Sequence, residues 1–309
     1  NELGSGGTSK VYLVRDHNLN RTIAFKFLKK SREKRESVAQ RFIHEARVTA
    51  MLEHPNIMPV HDIGSTGRGE VFFSMKSVSG SSLGNAIRAA RKGESVPEEF
   101  STVDGRVRIF LKVCDALAFA HDAGCIHQDV KPDNIMLGRF GEVLVLDWGS
   151  ALSKVAIEER SGRALYGTPA YMSPEQARRE RSDERSDVYC IGATLFHALL
   201  LRHPTWSDSP ERFWEKKRAG LTDPITDAER HSVPPALLDI ALKALNPEPS
   251  QRYQSANELA DELKRYQAGL AVKAHRESVV EMFMRWYRRN RRLFWAVSLS
   301  VVVVAAVAG

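Results

Sequence analysis

The sequence predicts an α+β fold with two lobes, a small β-rich lobe followed by a larger and mostly helical one. Residues 1–75 contain short apolar strands, a glycine-rich turn and one charged helix. From residue 81 onward the apolar positions instead repeat with a helical period. With 309 residues, of which 43% are hydrophobic and 27% charged, the chain can bury one large two-lobed domain or two small ones.

A strand, a glycine-rich turn and a second strand are predicted over residues 1–14. Gly4 and Gly6 would let the backbone approach a phosphate closely, with amide groups as donors. The pattern is weak evidence alone, because Ser9 stands where such loops have a third glycine, and a flexible hairpin turn is an equal alternative. A Walker-type loop is excluded, since no glycine precedes Lys10.

The rest of the small lobe is predicted as three strands and a helix. Residues 22–28 form a strand in which Lys26 interrupts an apolar alternation. Residues 31–52 form an amphipathic helix, and Glu45 lies on or beside its apolar face. Glu45 is either an ordinary surface carboxylate or an ion-pair partner of Lys26. The remaining strands cover residues 58–64 and 70–75, before a crossing segment at 76–80.

Helices dominate the predicted second lobe. A short helix covers residues 83–91, and a loop with Gly93 and Pro97 covers residues 92–102. A long amphipathic helix follows over residues 104–123 and ends at Gly124. The closing helices are predicted at residues 234–245 and 255–266.

Two short stretches carry groups suited to phosphoryl transfer. Asp129, Lys131 and Asn134 lie close together, and Asp147 follows the apolar run at residues 143–146. One carboxylate can take a hydroxyl proton, the ammonium can face a phosphate, and the amide and second carboxylate can hold magnesium.

The positive charge of the chain is concentrated near its end. The formal net charge is +7, and residues 285–292 hold five arginines and no acid. An uncharged apolar run follows, so we predict a cytoplasmic membrane flank and expect no nucleic acid partner. We expect residues 269–292 to be a basic juxtamembrane linker and residues 293–309 to be a transmembrane helix. Because spanning requires about 20 residues, we expect the span to be cut; a buried core helix is the alternative.

The cysteines show no spacing typical of a metal site. Cys114, Cys125 and Cys190 fall in predicted helices or buried strands. We interpret them as reduced packing residues of a cytosolic domain, with neither a disulfide framework nor a zinc site.

In their order and spacing, the motifs resemble the eukaryotic-like (Hanks-type) serine/threonine protein kinases of bacteria, and the anchor resembles their transmembrane branch. The motifs are the glycine-rich loop, Lys26, Glu45, HQDVKPDN at 127–134, DWG at 147–149 and GTPAYMSPE at 167–175. The resemblance covers residues 1–268. It implies a bilobal protein-kinase fold with an N-lobe at 1–75, a hinge at 76–80 and a C-lobe at 81–268.

The resemblance implies ATP and Mg²⁺ as cofactors and serine or threonine hydroxyls of proteins as substrates. Asp129 would orient and deprotonate the hydroxyl, Lys131 would stabilise the transferring phosphoryl group, and Thr168 would contact both residues. Asn134 and Asp147 would hold magnesium. The nucleotide-binding residues would be Gly4, Gly6, Val11, Ala24, Lys26, Glu45, Met75 and Met136.

Within that nucleotide site, the resemblance implies a division of roles. Lys26 would bind the phosphates and Glu45 would hold Lys26 in place. Met75 would be the gatekeeper, with the backbone of residues 76–78 available to the base. The adenine would lie between Val11, Ala24 and Met136.

Three further residues would support the site. Asp187 would accept hydrogen bonds from amides of the loop that carries Asp129. Glu175 and Arg252 would form a buried ion pair whose breakage costs about 3–5 kcal/mol.

Three residues depart from the family pattern. Gln128 replaces an arginine that would pair with a phosphorylated activation loop, so we expect weaker dependence on loop phosphorylation. Trp148 replaces a phenylalanine beside the magnesium ligand, which changes the packing bulk and not the carboxylate. Ser9 removes one glycine and would stiffen the phosphate loop.

A pseudokinase that binds nucleotide or a partner without turnover is the main alternative function, and a receptor scaffold is another. Such proteins commonly lose the lysine, the base or a metal ligand, all of which this sequence retains. Among hydroxyls that could be self-phosphorylated, Ser161 is our first choice, ahead of Ser150, Ser153 and Thr168. We expect a single-pass protein of the cell membrane with its kinase domain in the cytoplasm; a homodimer is an option that no segment specifies.

Overall fold

The computed structural model describes residues 2–5, 9–29, 35–153, 167–290 and 295. Within these ranges the chain folds into two lobes: a five-stranded sheet with one helix, and a larger helical lobe that contains two small sheets. The predicted α+β class and the two-lobed arrangement are confirmed.

The first lobe is an antiparallel sheet covered by helix α1 (Arg35–Met51). Its strands run in the order β1-β2-β3-β5-β4, and the alternation of each strand turns one face toward α1. The helix buries Phe42 and Ala46 against Phe73 of the sheet. The strands are β1 (Glu2–Ser5), β2 (Ser9–Asp16), β3 (Arg21–Leu28), β4 (Val60–Ser65) and β5 (Val71–Lys76).

The second lobe is built from helices around two short sheets. Its strands are β6 (Gly80–Ser82), β7 (Cys125–Ile126), β8 (Ile135–Gly138), β9 (Val143–Val145) and β10 (Leu152–Ser153). They pair in the orders β6-β8-β9 and β10-β7. Its helices are α2 (Leu83–Lys92), α3 (Glu98–Ser101), α4 (Val103–Asp122), α5 (Pro174–Arg178), α6 (Glu184–Leu200), α7 (Pro210–Ala219), α8 (Asp227–Ser232), α9 (Pro235–Ala244), α10 (Ala256–Gln267) and α11 (Val279–Arg289).

The core of the second lobe lies where α4 packs against α6 and α10, and where α9 packs against α6. Helix α4 begins at a Thr102 cap, whose side chain accepts a hydrogen bond from the Gly105 amide. Its apolar face is buried, as the 3.6-residue period predicts, and α6 is buried almost all round. The functional segments are therefore supported by the large hydrophobic core of the second lobe.

Two segments differ from the sequence-based expectation. The predicted loop at residues 92–102 contains α3, because Phe100 is buried in the core and the Pro97 carbonyl accepts hydrogen bonds from the first turn. The predicted linker at residues 269–292 contains α11, whose start is fixed by a capping box between Ser278 and Glu281.

The three cysteines are free and buried, as expected of packing residues. In the part of the chain that the structure describes, no helix is both long enough and apolar enough to span a bilayer. The apolar run predicted to be a transmembrane helix, residues 293–309, lies outside that part except for Trp295.

Candidate active site

The Asp187 carboxylate of α6 supports the loop that carries Asp129 through hydrogen bonds. Asp187 is fully buried and accepts hydrogen bonds from the amides of His127 and Gln128, both at 2.8 Å. Its third partner is His121 of α4, with Nε2 at 2.8 Å. Burial alone would raise the pKa of this carboxyl, but the hydrogen bond and charge of His121 and its bonds to His127 hold the pKa below the usual value. Asp187 is therefore an anionic support for the loop, as the resemblance implied.

His127 joins this loop to the strand that leads to Asp147. Its Nδ1 accepts a hydrogen bond from the Asp129 amide at 3.2 Å. The proton of the neutral ring therefore lies on Nε2, which donates to the Leu146 carbonyl oxygen at 3.0 Å. The ring also packs against Trp148, with the ring centroids 4.6 Å apart. One buried imidazole thus fixes the relative positions of both functional stretches.

Asp129, Lys131 and Thr168 form a closed triangle of polar contacts. Lys131 Nζ lies 2.7 Å from Asp129 Oδ2 and 2.7 Å from Thr168 Oγ1. The Thr168 hydroxyl donates in turn to Asp129 Oδ1 at 2.7 Å. Both carboxylate oxygens are oriented, and an ammonium group lies beside them. This arrangement can accept a proton at Asp129 and place positive charge next to the reacting group.

Asn134 and Asp147 each carry a side-chain oxygen atom that could serve as a metal ligand. Asn134 Nδ2 donates to the Asp129 carbonyl oxygen at 2.9 Å, so its own carbonyl oxygen is the atom available as a ligand. Asp147 has a left-handed backbone with φ of 61°. Amide and carboxylate oxygens are the hard ligands that Mg²⁺ prefers, so this donor set fits the ion that the resemblance implied.

Gly149 lets these groups lie close to α1. A Cβ atom at this position would meet Asp147 Oδ1 at 3.2 Å and Glu45 Oε2 at 3.5 Å. The short helical turn Trp148–Ser150 also packs against α1. The structure therefore brings the carboxylates of Asp147 and Glu45 to the same place, from opposite lobes.

The Lys26 and Glu45 side chains form an ion pair in the first lobe. Lys26 Nζ lies 2.5 Å from Glu45 Oε1 and 5.5 Å from the centroid of the Phe73 ring. Burial raises the pKa of the Glu45 carboxyl above its usual value; Lys26 lowers it and Asp147 raises it by smaller amounts. The open alternative of an ordinary surface carboxylate is therefore wrong for Glu45, which is buried and paired.

Three of the other residues predicted to bind nucleotide, Val11, Ala24 and Met75, lie on neighbouring strands of the first-lobe sheet. Val11 of β2 is opposite Lys26, and Ala24 of β3 is opposite Met75 of β5. Met136 belongs to β8 of the second lobe. Gly4 lies in β1, whereas Gly6 falls outside the described residues.

The predicted ion pair between Glu175 and Arg252 is present and buried. Arg252 binds both carboxylate oxygens, with Nη1 2.7 Å from Oε1 and Nη2 2.8 Å from Oε2. Ser186 donates to the same carboxylate at 2.6 Å, and Arg252 also donates to the carbonyl oxygens of residues 185, 246 and 247. This network joins α5, which follows Thr168 in the sequence, to the segment between α9 and α10 that contains Arg252.

All three departures from the family pattern are buried. Gln128 has a left-handed backbone with φ of 67°, and its carbonyl oxygen accepts a hydrogen bond from Gln176 Nε2 at 2.9 Å. Trp148 is fully buried, and among the described residues its Nε1 has no hydrogen-bond partner. Ser9, the third departure, is buried at the start of β2.

His121 and Gln176 support the site, although sequence reasoning assigned them no role. His121 lies on the buried face of α4, and a histidine on an apolar face is itself a signal of a buried polar partner. Gln176 gave no signal beyond its place after Glu175. Lys76 and Glu142 form a further ion pair that links β5 to the loop between β8 and β9.

The chain is similar in sequence to known proteins. Serine/threonine-protein kinase PknD of Chlamydia felis is 32% identical over 287 residues, which cover 86% of this chain and 30% of that protein. The protein of the same name from Protochlamydia amoebophila is 32% identical over 290 residues, covering 86% of this chain and 29% of that protein. The chain therefore spans under a third of the length of these relatives.

A family description matches most of the chain. The protein kinase domain family matches residues 1–263, which include the first lobe, most of the second lobe and every motif named above. This chain belongs to the protein kinase domain family.

Proposed function

We propose that this chain is an ATP- and Mg²⁺-dependent protein serine/threonine kinase. The observation that carries the proposal is that two separate contacts are formed together: the Asp129, Lys131 and Thr168 triangle and the Lys26–Glu45 ion pair. The relatives named above are called serine/threonine-protein kinases, which supports the hydroxyl class of substrate.

Different residues of the chain would have different roles in phosphoryl transfer. When bound, ATP supplies the transferable γ-phosphoryl group and Mg²⁺ neutralises its charge. Asn134 and Asp147 would hold the metal, and Lys26 would hold the phosphates. Asp129 would accept the proton of a serine or threonine hydroxyl, and its carboxylate is already oriented by Thr168. Lys131 would face the charge on the phosphoryl oxygens.

A nucleotide-binding pseudokinase remains the second candidate function. It would bind ATP through Lys26 and the sheet without turnover. The closed Asp129 triangle favours the enzyme, because a binding protein has no need to orient both oxygens of a carboxylate.

Membrane anchoring is part of the proposal. The apolar run at residues 293–309 would insert as a single span, and the five arginines of residues 285–292 would keep the kinase domain in the cytoplasm. Dimerisation through this anchor is an additional option. Ser161, our first choice for self-phosphorylation, lies outside the described residues, and Gln128 leads us to expect weak dependence on such a modification.

The test is incorporation of labelled phosphate from ATP and Mg²⁺ into the chain and into a generic protein substrate. We expect Asp129→Asn to lower the rate by about 10²- to 10⁴-fold, because the proton acceptor is lost. Asp133→Asn is the matched control: Asp133 lies in the same loop, but its half-exposed carboxylate pairs with Arg88 on the surface.

The control variant should retain most of the rate, and phosphate should be found on serine or threonine. Equal incorporation by the wild type and Asp129→Asn, with both folded and ATP bound, would instead establish the pseudokinase.

A further inference from the structure

In the sequence, helix α11 comes after the kinase motifs and before the apolar end of the chain, and most of its apolar side chains are exposed. It contains 11 residues and starts at the Ser278 capping box. Val279 is 77% exposed and Val280 is 69% exposed, while Phe283 and Trp286 are about half exposed. In a globular protein a helix normally buries such residues against the core, so an exposed apolar face of this kind indicates an apolar partner.

The apolar and polar residues of α11 are separated around its axis. At 100° per residue, the seven apolar and aromatic positions occupy one continuous sector of about 200°. Glu281 and Arg285 occupy the opposite sector, together with the positions of residues 288 and 289. A wide apolar face opposite an arginine-rich face is typical of helices that lie in the plane of a membrane surface.

The start of α11 is tied to the second lobe. His275 Nδ1 lies 2.8 Å from Asp239 Oδ2 of α9, and His275 Nε2 lies 3.4 Å from Glu281 Oε1. Arg285 forms an ion pair with Glu277 at the preceding turn. The helix therefore has a defined attachment to the kinase domain, rather than being a featureless linker.

Length and charge identify the partner. At 1.5 Å per residue α11 is about 16 Å long, roughly half of the hydrocarbon thickness that a spanning helix must cross. Residues 285–292 hold five arginines and no acid, which suits a surface of anionic lipid headgroups. The apolar run predicted to enter the bilayer begins directly after them.

We propose that α11 lies in the plane of an anionic membrane surface, with its apolar face in the lipid, and holds the second lobe against that surface. The proposal rests on the membrane anchoring proposed above, which it deepens by adding a second and lipid-selective contact. A second copy of the chain covering the same apolar face is the competing occupant.

The test is amide hydrogen exchange of the chain in lipid nanodiscs loaded with one copy per disc. One set of discs contains phosphatidylcholine alone, and the other contains phosphatidylcholine with phosphatidylglycerol. We expect exchange over residues 279–289 to be about ten-fold slower or more with the anionic lipid, because each basic residue near the surface contributes to binding. The variant Phe283→Ser/Trp286→Ser should lose this protection.

Phe140→Ser is the matched control, because Phe140 is 91% exposed and lies in the turn between β8 and β9. It should leave the protection unchanged. Exchange over residues 279–289 that is the same in both lipids would overturn the proposal, as would protection that appears only with two copies per disc. Protection of residues 293–308 in either lipid reports the anchor separately, so the failure of one proposal is distinguishable from the failure of the other.

Discussion

The two lobes hold their functional residues in different ways. In the second lobe, Asp187 and the Glu175–Arg252 pair are buried, and each carboxylate accepts three hydrogen bonds. In the first lobe, Lys26 and Glu45 are joined by a single contact above a cluster of three buried residues. The loop of Asp129 is therefore preformed, whereas the position of Lys26 depends on where α1 lies.

This difference predicts whether removal of each ion pair lowers mainly the stability or mainly the activity of the protein. Breaking an ion pair that supports a hydrogen-bond network should lower the free energy of unfolding. Breaking an ion pair that aligns one side chain should lower the phosphorylation rate and change the free energy of unfolding little. The following predictions test this contrast, in order of their expected effect on the free energy of unfolding.

The largest loss of stability is expected from Arg252→Met. It leaves the Glu175 carboxylate buried without its cation and removes the donors to three carbonyl oxygens. We expect the free energy of unfolding to fall by about 3–5 kcal/mol, as measured by urea denaturation. Arg88→Met, which breaks a half-exposed ion pair with Asp133, should change it by less than about 1 kcal/mol.

The same pair predicts a pH dependence. Burial alone would raise the pKa of Glu175, but Arg252 and Ser186 hold it below the usual value of 4.5. A depressed pKa gives stability that is fully present above pH 4.5 and is lost as the pH falls through the folded-state pKa. In Arg252→Met burial acts without the cation, so the pKa should rise and stability should fall as the pH increases through it. An unchanged pH slope in this variant would show that Arg252 does not set the charge of Glu175.

A smaller loss is expected from Asp187→Asn, which keeps the shape and removes one acceptor. The amide can serve only one of the His127 and Gln128 backbone donors, which leaves the other buried and unpaired. We expect a loss of about 1–3 kcal/mol and faster exchange of these two amides. Because Gln128 has φ of 67°, its backbone should relax once the acceptor is gone, and the phosphorylation rate should fall with it. Native exchange rates would contradict a supporting role for the charge.

The sequence predicted the residues of the site more completely than their supports. Asp129, Lys131, Asn134 and Asp147 lie in short motifs, and local spacing is readable in a sequence. The contact between His121 and Asp187 joins positions 66 residues apart, so it depends on the packing of α4 against α6. A single sequence holds no record of that packing, and the same holds for Gln176 and the Gln128 carbonyl.

The fold shows the same division between features that a short segment of sequence predicts and features that depend on contacts between distant residues. The strands of the first lobe follow from alternation and turns, and α4 follows from its apolar period and from Gly124 at its end. The basic composition of residues 269–292 predicted a linker, whereas the apolar positions of α11 within them repeat with a helical period. Its Ser278 and Glu281 are three residues apart, which is the spacing of a capping box and could have located its start.

The smallest change in stability is expected from the double variant Lys26→Met/Glu45→Gln. It removes both charges of the pair together, so no uncompensated ion is left behind. We expect the free energy of unfolding to stay within about 1 kcal/mol of the wild type, since uncharged groups often replace a buried ion pair without loss. Phosphate transfer should nevertheless fall steeply, because no cation remains on β3 to hold the phosphates.

The matching double variant of the second lobe, Glu175→Gln/Arg252→Met, sharpens the contrast. It also removes both charges, yet the carbonyl oxygens that Arg252 served remain buried without donors, so the stability should stay well below that of the wild type. Unfolding curves and initial rates of both double variants can be measured side by side. Equal losses of stability from the two pairs would mean that the Lys26–Glu45 contact is as much a support of its lobe as the Glu175–Arg252 network is, and that alignment of Lys26 is not its separate role.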